Sequence, residues 1–255
     1  MAKRKSCPSR SALSGFTLIE MVVSVVILGI IVLGIGSYLQ WGAQGYVSTV
    51  SRERFQSEAR FALEKMTREL RHAAPNSASR EIINGQHCIA FYPIVAAGFY
   101  VGAADAWPLQ VVPTLGSVDD WVALPKGSLA LAVGLANAAE YDNPDFRIQG
   151  VTPDENGDAS KVWVRLAKPL ASRSPAQRVY VYGDAVRYCQ RGHQLVREQA
   201  STATPIMNHV AMFEITALSA GLENNGMVHV RLRTVDPRSD EAFRYDHTVQ
   251  VLNVL

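Results

Sequence analysis

An apolar run at residues 21–39 constrains the fold of this chain more strongly than any other feature. One carboxylate, Glu20, stands at its N-terminal edge. An unpaired carboxylate in hydrocarbon costs several kcal/mol, so a charge retained at this place indicates a function. The basic residues that precede the run are Lys3, Arg4, Lys5 and Arg10.

The apolar segment is long enough to cross a bilayer. As a helix, residues 16–39 would measure about 36 Å at roughly 1.5 Å per residue. This length exceeds the roughly 30 Å of a hydrocarbon core, so the segment can span with some tilt. A cleaved secretory signal is disfavoured, because the run is too long and no A-x-A-like site ends it. The basic N-terminus predicts a single-pass protein with a cytoplasmic N-terminus and an exported remainder.

The net charge of the chain gives no indication of nucleic-acid binding. The 255 residues include 25 basic and 23 acidic residues, a formal charge of +2. Four of the basic residues and none of the acidic ones lie before residue 16, which leaves 21 basic against 23 acidic residues beyond it. The basic end therefore reflects membrane topology, and no nucleic-acid partner is expected.

The residues around the edge of the apolar run form a recognisable motif. A short basic leader, then Gly15, Phe16, Thr17, Leu18 and Glu20, opens the apolar helix. This order resembles the processing site of type IV prepilins and pseudopilins. The resemblance implies cleavage between Gly15 and Phe16 by a prepilin peptidase, which also methylates the new N-terminus of Phe16. It further implies assembly with other major and minor pilins through the N-terminal helix, with Glu20 pairing with the terminal amine of a neighbouring Phe16.

A second, amphipathic helical segment follows at residues 46–74. Its apolar residues fall on one face at a period near 3.6, and Pro75 predicts its end. Pairs of opposite charge at i,i+4 spacing predict a solvated opposite face. These pairs are Arg54/Glu58, Arg60/Glu64 and Glu64/Arg68. Since basic and acidic residues alternate here, a DNA-binding stripe is not expected.

The remainder of the chain has the alternation and turn residues of antiparallel strands. Residues 76–86 are predicted to be a linker and residues 96–160 a variable loop region. Strands are predicted at residues 87–95, 161–167, 178–188, 194–198, 210–218, 227–235 and 245–255. The predicted fold class is α+β, a pilin-like lollipop with a long N-terminal helix packed on an antiparallel sheet. The predicted domains are a cleaved leader (1–15), a transmembrane helix (16–39), its amphipathic continuation (40–74) and a β-rich periplasmic head (75–255).

Three cysteines bear on the redox compartment. Cys7 lies in the predicted leader and would be removed with it. Cys88 and Cys189 remain as an even pair in an exported chain, so they are candidates for a disulfide, with two buried free thiols as the alternative. No C-x-x-C or Cys/His cluster accompanies them, so no metal site is expected.

Other chemistry finds little support in the sequence. No P-loop, HExxH, GxSxG or GxGxxG motif is present, so no enzyme, catalytic residue or cofactor is expected. A few residues could act as acids or ligands, but ordinary turn, loop or strand positions explain them better. They are Asp119, Asp120, the acidic segment 154–158, His209, His229 and His247.

A finer resemblance extends past the motif. Residues 57–71 and 74–77 are similar to minor pilins of mannose-sensitive haemagglutinin (MSHA) pili, and PilW-like minor pilins and J-type pseudopilins of type II secretion share the layout. The resemblance implies a minor pilin of the inner membrane that assembles into, or primes, a type IV pilus. The alternatives are a type II secretion pseudopilin, a DNA-uptake minor pilin, and a periplasmic enzyme on a signal anchor.

Overall fold

The computed structural model describes residues 15–154, 158–218, 226–237 and 240–251. The predicted leader before Gly15, Cys7 included, and the last four residues of the predicted C-terminal strand lie outside these ranges. The chain divides into two units, Met1–Ser51 and Arg52–Leu255. The predicted α+β class is confirmed, because a long N-terminal helix precedes a head of antiparallel strands.

The long helix, α1, runs from Leu18 to Arg71. It contains no proline and continues through all its glycines. Its end comes three residues before the predicted end at Ala74. The Ala74 N–H donates to the Tyr92 carbonyl at 2.7 Å, and the Ile94 N–H donates to the His72 carbonyl at 3.0 Å. The chain leaves the helix here because these backbone groups pair with another segment instead of with the preceding turn.

The part of α1 within the second unit buries one stripe of side chains: Phe55, Ala59, Ala62, Met66 and Leu70. Their spacing of three and four residues places them on one helix face. The two alanines allow the helix to approach the sheets closely. Full burial of Met66 and Leu70 contributes about 1.5–3 kcal/mol each. This confirms the predicted amphipathic character of the segment.

Fourteen strands and a short helix, α2 (Val118–Val122), form the rest of the described fold. The strands are β1 (Ser79–Ile83), β2 (Gln86–Phe91), β3 (Ile94–Val101), β4 (Leu109–Leu115), β5 (Ala130–Ala132), β6 (Ile148–Pro153), β7 (Val162–Leu166), β8 (Arg178–Tyr182), β9 (Val186–Arg191), β10 (Gln194–Gln199), β11 (Thr202–Met207), β12 (Val210–Leu218), β13 (Met227–Val235) and β14 (Ala242–Gln250). Two 3₁₀ turns lie at Ala138–Asp142 and Pro144–Phe146.

The strands make three antiparallel sheets. Their orders are β1-β2-β9-β10-β11, β12-β13-β14, and β5-β8-β3-β4-β7-β6. Four residues of this stripe, Ala59, Ala62, Met66 and Leu70, share one core with apolar residues of the five-stranded and three-stranded sheets. The six-stranded sheet packs its own core, in which Trp121 of α2 is fully buried.

Several predicted boundaries need correction. The predicted linker at 76–86 contains β1, and the predicted strand at 87–95 is two strands, β2 and β3, separated at Tyr92 and Pro93. The predicted strand at 178–188 breaks between β8 and β9, which belong to different sheets. The region 96–160, predicted as loops, supplies most of β3 and all of β4, β5 and β6. Strand β11 was not predicted.

Candidate processing and assembly site

The predicted cleavage bond lies just outside the first turn of α1. Thr17 precedes the helix, and its hydroxyl oxygen accepts a hydrogen bond from the Glu20 N–H at 3.3 Å. The Thr17 carbonyl accepts from the Met21 N–H at 3.2 Å. This is the N-cap arrangement, in which a threonine side chain satisfies a backbone donor that the first turn leaves free. The cap leaves Gly15 and Phe16 outside the helix.

Both residues of the predicted cleavage bond are accessible. The side chain of Phe16 is 84% exposed. A Cβ atom placed on Gly15 would contact nothing within 4 Å. A peptidase that binds its substrate as extended backbone could therefore reach this bond without first unwinding a helical turn.

Glu20 lies in the first turn of α1, where a carboxylate is favoured by the positive end of the helix dipole. The sequence Thr17-x-x-Glu20 has the spacing of a capping box. Among the described residues, no side chain or backbone donor binds its carboxylate, and no cation forms an ion pair with it. The described part of the chain thus supplies no partner for this carboxylate.

The helix surface that follows Glu20 is apolar and uncovered. Every described residue from Gly15 to Val50 is exposed, including large side chains such as Ile30 and Leu33. The two serine hydroxyls of the run are satisfied internally, since Ser24 donates to the Glu20 carbonyl at 2.7 Å and Ser37 to the Leu33 carbonyl at 3.0 Å. An apolar helix whose serine hydroxyls are paired within the helix itself suits a bilayer or a packed helix bundle.

Among the described residues, α1 is the one helix that is long and apolar enough to cross a membrane. Its apolar half carries Gly29, Gly34 and Gly36, and a Cβ atom at any of them would meet open space. Small residues of this kind let the backbones of neighbouring helices approach closely. The surface can therefore be covered by lipid or by other helices of similar composition.

The head contains the disulfide between Cys88 and Cys189. Cys88 lies on β2 and Cys189 on β9, directly opposite each other in the strand register, with their Cα atoms 4.2 Å apart. Both residues are buried. The bond closes a loop of 101 residues and joins two central strands of the five-stranded sheet.

The end of α1 is held to this sheet by a carboxylate that the sequence did not single out. Glu69 accepts a hydrogen bond from the Tyr188 hydroxyl at 2.9 Å and from Arg197 Nε at 2.9 and 3.0 Å. Lys65 Nζ lies 3.2 Å from the same carboxylate. Burial first, and the Glu69 charge second, raise the pKa of Tyr188 well above its ordinary value of 10.

The oppositely charged residues at i,i+4 spacing on α1 lie on a solvated face, as predicted, and one pair of them forms an ion pair. Arg54 and Glu58 form one at 3.0 Å, as expected. Among the described residues Glu64 makes no ion pair with Arg60 or Arg68, although all three residues are exposed as a solvated face requires. Instead, these two arginines line a groove beside β14.

The other candidate residues have structural roles. Asp120 accepts hydrogen bonds from the Ser117 backbone N–H and hydroxyl, which lower the pKa of the Asp120 carboxyl and begin α2. Asp154 accepts from the Trp163 indole N–H at 2.7 Å. Asp158 pairs with Lys161, and that hydrogen bond lowers the pKa of its carboxyl. Residues 155–157 of the acidic segment lie outside the described ranges.

The three histidines of the predicted strands are spread through the head. His209 packs edge-on against Phe55, while His229 and His247 make hydrogen bonds with threonine hydroxyls at 2.9 Å. Within the described ranges no group of three or more His, Cys, Asp or Glu side chains could hold a metal ion.

Comparison with known protein families finds one match. The prokaryotic N-terminal methylation motif matches residues 10–36, which include Gly15, Phe16, Glu20 and most of the apolar run. No curated protein and no solved structure shows a significant match to the chain. The motif supports a type IV pilin-like protein with a single N-terminal membrane anchor. The family it describes is structural and is not known as enzymatic.

Proposed function

We propose that this chain is a minor pilin, processed by prepilin peptidase, that assembles into or primes a type IV pilus of the MSHA kind and is similar to MshO. The observation that carries the proposal is the methylation motif placed at the start of an uncovered apolar helix. The finer likeness to MSHA minor pilins is carried by residues 57–71 and 74–77.

The precursor is proposed to be inserted first in the inner membrane. Residues 1–15 form the cytoplasmic leader, residues 16–39 the transmembrane and assembly helix, residues 40–74 its amphipathic continuation, and residues 75–255 the periplasmic head. Cleavage between Gly15 and Phe16 releases the leader, and the same enzyme methylates the new amine of Phe16. The protein then enters a filament, or its tip, at the cell surface.

Assembly requires a cover for the apolar helix once it leaves the bilayer. An apolar surface of this extent is unfavourable in contact with water, so it must be buried once the helix has left the bilayer. The helices of other pilins offer a matching apolar surface. Helix packing therefore supplies the bulk of the association free energy. Packing alone allows several axial positions, so a specific contact is needed to select one.

Glu20 is proposed to be that contact. Its carboxylate has no partner among the described residues of its own chain, and the ammonium of Phe16 in an adjacent subunit is a cation of suitable position. In an apolar bundle this pair interacts far more strongly than in water. Any other register leaves one charge unpaired at a cost of several kcal/mol, so the pair sets the register.

Substitution of Glu20 tests this role. We expect Glu20→Val to be inserted and cleaved normally, yet to be at least tenfold less abundant in sheared filaments. A tenfold loss corresponds to about 1.4 kcal/mol, well within the cost of leaving the neighbouring ammonium unpaired. Glu53→Val, the same change at an exposed position of α1 beyond the apolar run, is the matched control and should leave abundance unchanged. Wild-type abundance of Glu20→Val in sheared filaments would refute the assembly role.

A J-like pseudopilin of type II secretion shares the motif and the helix. Deletion of the gene separates the two assignments, because loss of surface pili with normal secretion is expected for the minor pilin. Normal piliation with lost secretion would assign the chain to the secretion system.

A further inference from the structure

A groove lies between the last turns of α1 and strand β14, with a volume of about 490 Å³. Leu63 and Thr67 line it, and Arg60, Arg68 and Arg71 stand around it. We call it the arginine groove. All of these residues belong to the second unit of the chain.

The arginine groove has an excess of positive charge. Its three arginines are exposed, and none of them forms an ion pair with a carboxylate of the described residues. Among the described residues that line the groove, Glu64 is the one acidic side chain, against three guanidinium groups. Guanidinium groups bind carboxylates in paired hydrogen bonds, so the groove is suited to acidic side chains.

Strand β14 borders the groove with an unpaired edge. It pairs with β13 over nine residues without a bulge, and no described strand pairs with its other side. It contains no proline between Ala242 and Gln250. A long, regular edge of this kind presents free backbone N–H and C=O groups that can accept another strand.

The contacts between β14 and α1 show which side chains an added strand would direct toward the helix. The Arg52 guanidinium lies over the Phe243 ring at 5.8 Å, and His247 bonds to Thr67 at 2.9 Å. Side chains alternate between the two faces of a strand, so every second residue of β14 is directed toward the helix. A strand added beside β14 would likewise direct every second side chain toward the arginines.

From this geometry we infer that the arginine groove accepts an extended segment of another protein, which pairs with the free edge of β14 and places acidic side chains at alternate positions against Arg60, Arg68 and Arg71. The overall lengths are similar: the eleven residue steps from Arg60 to Arg71 along α1 span about 16 Å. Three alternate residues of a strand span about 13–14 Å. The assignment of this segment to another subunit of the assembly rests on the proposed function. The expected alternation of acidic side chains rests only on the groove and the β14 edge.

A second copy of this chain would not supply an acidic strand by pairing through its own β14 edge. If β14 of a second copy paired with this edge, it would present Phe243, Tyr245 and His247 to the arginines, none of which is acidic. A single-stranded nucleic acid is less suited than a peptide, because the cationic surface is only about 16 Å long and includes Glu64.

The test uses the full-length protein in detergent micelles and a fluorescent nine-residue peptide with alternating glutamate and threonine. We expect binding to the wild type and at least tenfold weaker binding to the double variant Arg68→Gln/Arg71→Gln. The control double variant, Arg80→Gln/Arg233→Gln, removes the same charge from exposed arginines of β1 and β13, neither of which lines the groove or belongs to β14. It should bind as the wild type does. A peptide with lysine in place of glutamate should not bind.

Hydrogen exchange distinguishes strand addition from simple charge attraction. Binding of the acidic peptide should slow exchange at alternate backbone amides of residues 242–250 in the wild type. The inference would be overturned if the peptide did not bind, or if both double variants lost the same amount of peptide affinity. Binding of the peptide without slower exchange in β14 would also overturn it. A single-stranded oligonucleotide that displaces the peptide would overturn it as well and assign the groove to nucleic acid.

The same preparation also reports on the proposed function. If the peptide binds but Phe16 is not the processed N-terminus in cells with prepilin peptidase, the proposed function is wrong and the inference about the groove is still supported. If processing is normal and the peptide does not bind, the groove inference alone fails. Equal thermal midpoints of both double variants and the wild type show that the comparison concerns binding and not folding.

Discussion

Replacement of Glu69 should weaken the junction between α1 and the five-stranded sheet. Its carboxylate accepts from the Tyr188 hydroxyl and twice from Arg197 Nε, all within 2.9–3.0 Å. Tyr188 is buried, and the side chains of Glu69 and Arg197 are each 22% exposed. Glu69→Ala therefore leaves a buried hydroxyl without an acceptor and a poorly hydrated guanidinium without its carboxylate.

The magnitude follows from these contacts. An unsatisfied buried donor costs about 1–3 kcal/mol, and loss of a charged partner adds to this. Arg197 keeps a hydrogen bond to Gln199 at 3.0 Å and some contact with water, which limits the added cost. We expect a total loss of about 3 kcal/mol, or a fall in thermal midpoint of about 6–12 °C at 2–4 °C per kcal/mol. Glu69→Gln retains a hydrogen-bond acceptor, so its loss of unfolding free energy should be about half that of Glu69→Ala.

Thermal and denaturant unfolding of the processed protein in detergent measure this loss. Glu53→Ala provides the control, since Glu53 is exposed on the same helix and forms no ion pair with a described residue. It should change stability by less than about 0.5 kcal/mol. A Glu69→Ala variant as stable as Glu53→Ala would show that the contacts of Glu69 do not hold the helix to the sheet.

Two further predictions concern the head. Replacement of Cys88 and Cys189 by serine should lower the free energy of unfolding by up to about 4–5 kcal/mol, the chain-entropy value for a loop of 101 residues; equal stability of the wild type with and without reductant would contradict this. Burial raises the pKa of Tyr92, Tyr141 and Tyr182 above 10, so the unfolded chain releases these protons first as the pH rises. Stability should therefore be constant up to about pH 10 and fall above it, and a flat profile of denaturation midpoint from pH 8 to 11 would refute the assignment.

The sequence predicted those parts of the fold whose signals are local. Strands β12 and β13 have the predicted bounds, and β13 alternates between more exposed and more buried residues along its whole length. The helix was equally predictable from its apolar run and the amphipathic stripe that follows.

Elements that depend on distant partners were not predictable in the same way. Edge strands β1 and β11 bury little, and β11 contains Pro205, which an edge strand tolerates. The break between β8 and β9 follows from Gly183-Asp184, but which sheet each strand joins depends on pairing across the head. The Glu69 contacts join residues 119 and 128 positions apart, a relation that no local pattern contains.

The N-terminus of the protein in cells tests the central claim most directly. The protein should be purified from a strain with an active prepilin peptidase and from an otherwise identical strain without it, and its N-terminal peptide identified by mass spectrometry. The account predicts a chain that begins at Phe16 with a methylated amine in the first strain and an unprocessed chain in the second. A chain in the first strain that retains Met1, or that begins at a residue other than Phe16, would contradict it.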